Sequence, residues 1–173
     1  MLQEVDLSRA YRATVTGLFL ITTCRDGKPN VQFAFRGLGI MDNPPLVLVG
    51  IQHSNYSHET IELTREFVVN VCSEQQVAAI PKGRTLSAKS SNVDKFAELG
   101  FETRPATKVA APLVLGCHAN LECRVRDALP TEGVTLYLAD VLACHVDDAL
   151  EPVLRFQGKT FRIGEQLDGA RPA

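Results

Sequence analysis

Residues 15–24, VTGLFLITTC, are dominated by β-branched and apolar side chains and run directly into RDGKPN. The Asp26-Gly27 pair supplies two residues that accept positive φ, which a two-residue hairpin turn requires. Residues 30–40, NVQFAFRGLGI, are expected to return as the partner strand. This hairpin constrains the fold because the same grammar of short apolar runs between turn residues recurs along the chain. LVLVGI follows the turn DNPP at 46–51, and FVVNVC at 67–72, ANLECRV at 119–125, VTLYLADVLACHV at 134–146 and VLRF at 153–156 complete the set. Six or more strands without regular strand–helix alternation predict a mainly β, antiparallel barrel, since closing a sheet removes its exposed edges. The 134–146 run alternates poorly and is expected to bend at Ala139-Asp140.

Three short helices interrupt this pattern. The spacing predicts one over His58 to Arg65, with Ile61 and Arg65 on one side, and a second from Glu74 that Pro81 and Gly83 break. A third is expected over VDKFAELG at 93–100, with Ser91 and Asp94 resembling a capping box and Gly100 at the stop.

Length and charge narrow the function. A chain of 173 residues suits one domain, 1–173, and buries about 70% of its unfolded surface. Lys and Arg total 18 against 20 for Asp and Glu, a net charge of −2, so neither nucleic acid nor a membrane surface is an expected partner. The opening MLQEVDLSRAYR lacks a signal-peptide pattern and no apolar run is long enough to span a bilayer, which predicts a cytosolic (cytoplasmic) protein. Cys24, Cys72, Cys117, Cys123 and Cys144 form no C-x-x-C pair and are expected to be reduced, packing as small hydrophobes.

The most pointed local feature is SNYSHETIELTREFVVNV at 54–71, where Ser54, Asn55, Ser57, His58 and Thr60 cluster before an apolar run. Two readings stand: side chains that cap a helix N-terminus, or a helix start that holds a phosphate through its N–H groups and dipole. A second polar segment, PKGRTLSAKSSN at 81–92, carries Lys82, Arg84 and Lys89 among hydroxyls, and is either a solvated loop or the other side of an anion site. No nucleophile elbow, Walker loop or dinucleotide-binding glycine motif is present. His53 and His58, five apart across a helix start, have poor spacing for shared metal ligation, and no metal site is expected. His118 and His145 lie in strand-like segments and are expected to take ordinary hydrogen bonds.

The ordered set ITTCRDGKPN, NPPLVLVGI, NYSHETI, EFVVNV, NVDKFAELG, APLVLGCHANLECRV and LADVLACHVD, with a weaker match in GKTFRIG, resembles the flavin reductase family of FMN-binding split barrels. That family includes flavoredoxins and the reductase components of two-component monooxygenases. The resemblance covers residues 12–165 and implies a six-stranded Greek-key split barrel that forms a homodimer, with FMN near the subunit interface and FAD as the alternative. It implies hydride transfer from NADH or NADPH to the flavin, with reduced flavin passed to a monooxygenase or other acceptor. No catalytic acid or base is implied, because the cofactor carries the difficult chemistry.

By matching segments, the implied cofactor-binding set is Asn30, Gln32, Phe33, Arg36, Asn55, Ser57, Lys89 and Phe161. Asn30 and Ser57 fall where a family Asn and Thr meet the flavin, Lys89 in a basic loop, and Phe161 at a C-terminal aromatic near the ring. The chain departs from the family strand A-M-T-V-S-W: Val31-Gln32-Phe33-Ala34-Phe35-Arg36 puts phenylalanines at two hydroxyl positions and Arg36 at the Trp. Phe33 and Phe35 stack on the ring or fill the barrel. Arg36 is expected to raise the flavin reduction potential by stabilising the anionic reduced form, which Arg36→Gln tests. Competing readings are an FMN-binding electron carrier without nicotinamide turnover, and a split barrel that handles haem or a corrinoid.

Overall fold

The computed structural model describes residues 14–34, 38–86 and 93–164. Arg36 and Lys89, together with Phe35 and Ser91, lie outside the described residues. The elements run β1 (Thr16–Gly17), β2 (Phe19–Arg25), β3 (Lys28–Ala34), β4 (Leu38–Asp42), β5 (Pro45–Gln52), α1 (Tyr56–Thr64), β6 (Glu66–Val71), a 3-10 helix (Glu74–Ala79), α2 (Ile80–Thr85) and α3 (Lys95–Leu99). They continue as β7 (Thr103–Arg104), β8 (Leu113–Val114), β9 (Ala119–Pro130), β10 (Val134–Val146), β11 (Val153–Phe156) and β12 (Lys159–Arg162). The fold is mainly β and antiparallel, as expected. Its principal sheet has seven strands in the order β3-β2-β6-β9-β10-β5-β4, where the resemblance implies six. A separate sheet joins β1, β11 and β12.

The β2–β3 hairpin forms as the sequence predicts: Arg25 pairs with Lys28, leaving Asp26 (φ 51°) and Gly27 (φ 72°) as the turn. The partner strand expected over 30–40 divides, however. β3 pairs with β2 as far as Ala34 opposite Phe19, and Leu18 N–H on the neighbouring chain bonds Val153 O. Residues 38–42 instead pair with β5 at the opposite edge of the sheet. β10 spans the expected 134–146, with register shifts at Leu138/Ala139 and Val141/Ala143 bracketing the predicted bend.

The sheet must curl. β2 and β5 are four strands apart in its order, roughly 19 Å if flat, yet α1 packs against both and against β3. One core unites Phe19 and Ile21 of β2, Val47, Val49 and Ile51 of β5, Phe67 and Val69 of β6, Leu121 and Cys123 of β9, and Tyr137 of β10. α1 sends Ile61, fully buried, into that core, and Ser57 and Thr60 beside it are equally buried. Two of the three residues on its inner face are therefore hydroxyls, so the helix closes the split in the barrel through polar contacts as well as packing. Arg65 does not extend this face; it ends α1 in the left-handed region at φ 58°, its N–H bonding Ile61 O at 2.8 Å.

Two helix boundaries differ from expectation. Pro81 sits in the first turn of α2 rather than breaking a helix, because there a missing N–H costs nothing. Asp94 caps α3 itself, accepting from Phe96 N at 3.0 Å and Ala97 N at 3.2 Å, in place of the expected pairing with Ser91. β12, not anticipated, returns from β11 through Gln157 (φ 50°) and Gly158 (φ 81°).

Candidate functional site

At the mouth of the split lies a cleft of about 330 Å³. Asn30, Gln32 and Phe33 of β3 form one wall, Gln52, Ser54, Asn55 and Tyr56 of the β5–α1 junction a second, and Gly83 to Leu86 with Lys95 a third. Four of the residues singled out from sequence (Asn30, Gln32, Phe33 and Asn55) thus meet in one place.

Their chemistry is unevenly satisfied. Asn30 is 3% exposed; its Nδ2 donates to Ser57 Oγ at 2.8 Å, while its Oδ1 has no partner among the described residues. A buried acceptor left unpaired costs about 1–3 kcal/mol, so this carbonyl is set for a donor supplied by a ligand. Ser57 lies beneath the cleft rather than in its wall, fully buried and engaged with Asn30. Asn55 is the N-cap of α1 but makes no side-chain capping bond. The polar knot at 54–60 is therefore not explained by an N-cap side chain, and the positive end of a nine-residue helix opens on the cleft.

The charged side chains that line the cleft are both cations, Arg84 and Lys95. Lys95 is 8% exposed, forms no hydrogen bond or ion pair among the described residues, and burial lowers its pKa. Arg155 lies close enough that its pKa is lowered, first by its own burial and then by the charge of Arg84; its guanidinium donates to Thr160 Oγ1 and Gly158 O. A cleft with two cations, a helix N-terminus and no lining carboxylate favours an anion. A second cavity of about 460 Å³ is lined by Glu102 and Asp147 without a cation, the opposite preference.

Phe33 is held as a wall. Its ring meets Phe101 edge-on with centroids 6.2 Å apart, and a Cβ built on Gly83 would stand 2.4 Å from it. Close approach of α2 to an aromatic ring, rather than a positive φ, is what requires glycine at 83.

The family model described as "Flavin reductase like domain" matches residues 11–164. The chain belongs to the flavin reductase-like family. A protein of Archaeoglobus fulgidus with no assigned function is 35% identical over 72% of this chain and 69% of its own. The reductase component of 4-nitrophenol 4-monooxygenase/4-nitrocatechol 2-monooxygenase from Rhodococcus opacus is 26% identical over 83% of this chain and 72% of its own. In fold, the chain resembles the NADH:FAD oxidoreductase of Streptomyces globisporus C-1027 with a TM-score of 0.82 at 23% identity, covering 95% of this chain and 99% of that one.

Within this flavin reductase-like chain, Phe161 does not line the cleft; it sits 44% exposed on β12 opposite Leu154. Sequence reading missed Lys95, Tyr56 and Gln52. Arg84 was within the basic segment already noted, where Lys82 is occupied by an ion pair with Glu98. Lys95 gave no signal: a lysine opening a short helix reads as solvent-facing. His53 and His58, set aside on spacing, converge instead, with ring centroids 4.6 Å apart. His118 and His145 take the ordinary bonds expected, Nδ1 to Leu150 O at 2.6 Å and Nε2 to Glu122 Oε1 at 2.7 Å. Among the described residues no group of three or more His, Cys, Asp or Glu is placed to hold a metal ion, and no helix is long and apolar enough to cross a membrane.

Proposed function

We propose that this chain is an NAD(P)H-dependent flavin reductase that takes FMN in the β3–α1–α2 cleft and passes reduced flavin to a monooxygenase or other acceptor. The observation that carries the reading is the pairing, in one cleft, of a buried acceptor, Asn30 Oδ1, with a buried cation, Lys95, neither of which has a side-chain partner among the described residues. A flavin ring offers an N–H to the first, and a phosphorylated side chain offers negative charge to the second. FMN rather than FAD suits a cleft whose cations are two and close to a helix N-terminus, where a compact phosphate is held by charge and N–H groups together.

When bound, the flavin supplies the hydride-accepting ring system. The protein's own residues bind and orient. Asn30, fixed by Ser57, accepts from the ring edge; Gln32 offers a further amide on the same face of β3. Phe33 presents an apolar flank. Arg84, Lys95 and the start of α1 hold anionic charge. The relatives' names support the nicotinamide-dependent reading, since one is an NADH-dependent FAD reductase and another a monooxygenase reductase component.

We further propose a cytosolic homodimer. The outer face of β4, β5, β10 and β9 carries Met41, Leu48, Leu136, Leu138 and Leu129, brought into one apolar patch by the pairings Leu48–Leu138 and Leu136–Leu129.

The test is anaerobic mixing of the FMN-loaded protein with NADH and with NADPH, following loss of the flavin's visible absorbance. Rapid bleaching with either nucleotide supports the reductase reading. Tight FMN binding without bleaching transfers support to an electron carrier, and failure to bind FMN removes both.

A further inference from the structure

Lys95 differs in kind from the other lysines of the chain. It opens α3, is 8% exposed and lines the cleft, and among the described residues its amine has neither a hydrogen-bond nor an ion-pair partner. Lys28, Lys82, Lys108 and Lys159 are all exposed, and Lys82 is paired with Glu98. A buried amine without a partner, open to a cavity, is a chemical resource as well as a charge.

An amine attacks a carbonyl through its lone pair, so the uncharged form is the nucleophile. Burial disfavours the ammonium of Lys95 and lowers its pKa. The other charged side chain on the cleft wall is Arg84, a second cation, and no Asp or Glu among the lining residues stabilises the ammonium. A desolvated lysine beside another cation is the setting in which amines form imines readily.

Condensation also needs the carbonyl compound to be held against the amine. Arg84 and the start of α1, whose N-cap Asn55 makes no side-chain capping bond, supply a seat for an anion on two walls of the same cleft. At about 330 Å³ the space is at the small end of ligand pockets, which run from about 300 to 1,000 Å³. A compact molecule with a phosphate at one end and an aldehyde at the other meets both requirements.

We propose that the cleft is a reversible covalent site for small phosphorylated aldehydes, the phosphate held by Arg84 and the start of α1 and the carbonyl carbon condensing with Lys95 Nζ. The Nζ lone pair adds to the carbonyl carbon, the carbonyl oxygen leaves as water with the two amine protons, and a C=N bond replaces C=O. No electrons are gained or lost overall. Water reverses the step, so the adduct persists only while the aldehyde is present. The proposal shares its anion seat with the flavin reading of the cleft, and the adduct excludes FMN for as long as it lasts.

Glyceraldehyde 3-phosphate is the probe, with glyceraldehyde as its phosphate-free control. Flavin-free protein is incubated with each at neutral pH in the presence of cyanoborohydride, which reduces the imine to a stable secondary amine, and the label on every lysine is read by peptide mass spectrometry. Lys95 should carry at least about fivefold more label than any other lysine, and glyceraldehyde should label it at least about tenfold less than the phosphorylated probe. Label spread evenly over the lysines, or concentrated on another one, overturns the site. Equal labelling of Lys95 by the two aldehydes overturns the phosphate seat and the proposal with it. Lys95→Met should lose the phosphate-dependent adduct in the intact-protein mass, whereas Lys82→Met should keep it; persistence in Lys95→Met counts against the proposal. Two protection experiments keep this inference apart from the flavin reading. Excess inorganic phosphate should protect Lys95, and failure to do so defeats the proposal. If phosphate protects and FMN neither binds nor protects, the flavin reading falls and the aldehyde site stands.

Discussion

Asn30 Nδ2 donates to Ser57 Oγ at 2.8 Å, joining β3 to the first turn of α1 with both side chains buried. The bond turns the amide so that its carbonyl is the group left for a ligand. Asn30→Leu, similar in volume, removes that unpaired acceptor. FMN affinity should fall at least about tenfold, roughly 1.4 kcal/mol, while the melting temperature of the flavin-free protein changes little, because relief of the unpaired acceptor offsets loss of the bond to Ser57. Calorimetric titration and thermal unfolding of the same variant check the two outcomes together.

Lys95→Met should separate affinity from stability by a different route. The lysine's charge is disfavoured by burial, which lowers its pKa. A lysine with a depressed folded pKa penalises the fold while charged, and the penalty fades as pH rises from the folded toward the unfolded value. The flavin-free variant should therefore match or exceed the native protein in stability at pH 7, with the difference narrowing at alkaline pH. FMN binding should weaken more than riboflavin binding, since only FMN carries the phosphate. Urea titrations at pH 7 and 10, and affinities for the two flavins, decide it.

Glu122 predicts an acid-sensitive latch far from the cleft. Its carboxylate is fully buried on β9, which pushes the pKa up, but bonds from Thr107 N–H and Oγ1, from His145 and from Lys108 N–H outweigh that and hold it at about 2. A carboxylate depressed from 4.5 stabilises the fold above its unfolded pKa, and that contribution disappears as pH falls from 4.5 through about 2. Glu122→Gln should cost roughly 2–3 kcal/mol at neutral pH, and much less at pH 2.5. Denaturant unfolding at the two pH values measures the change.

Leu48→Glu combined with Leu129→Glu places charge on the outer face of β5 and β9, where Leu48 is 37% and Leu129 63% exposed. If that face joins two copies, light scattering should report a monomer for the variant and a dimer for the native chain. Its thermal stability at high dilution should be little altered, because neither residue belongs to the core.

Much of the scaffold was readable because it rests on local rules. The Asp26-Gly27 turn, the strands at 46–51, 67–72 and 134–146, and the stop at Gly100 follow from backbone preference and side-chain alternation. What failed depended on partners distant in sequence. Nothing within residues 30–40 reveals that 30–34 pair with β2 while 38–42 pair with β5, so the division into β3 and β4 was hidden. Pro81 looks the same as a breaker or as a first-turn residue until the 3-10 segment before it is placed. At the site, Asn30, Gln32, Phe33 and Asn55 stood out on their motifs. Lys95 did not, because only the packing of α3 against the β3 side turns its first residue inward. Ser57 was chosen as a ligand contact, yet its hydroxyl faces Asn30, a distinction no spacing encodes.

The bare backbone at Gly83 has a consequence for how this cleft can change. A methyl there would displace the Phe33 ring, and that ring leans on Phe101, which ends the connection out of α3. Widening the pocket to admit a bulkier cofactor thus demands concerted adjustment on three separate stretches of chain, so single substitutions should tune grip and charge far more readily than they enlarge the space.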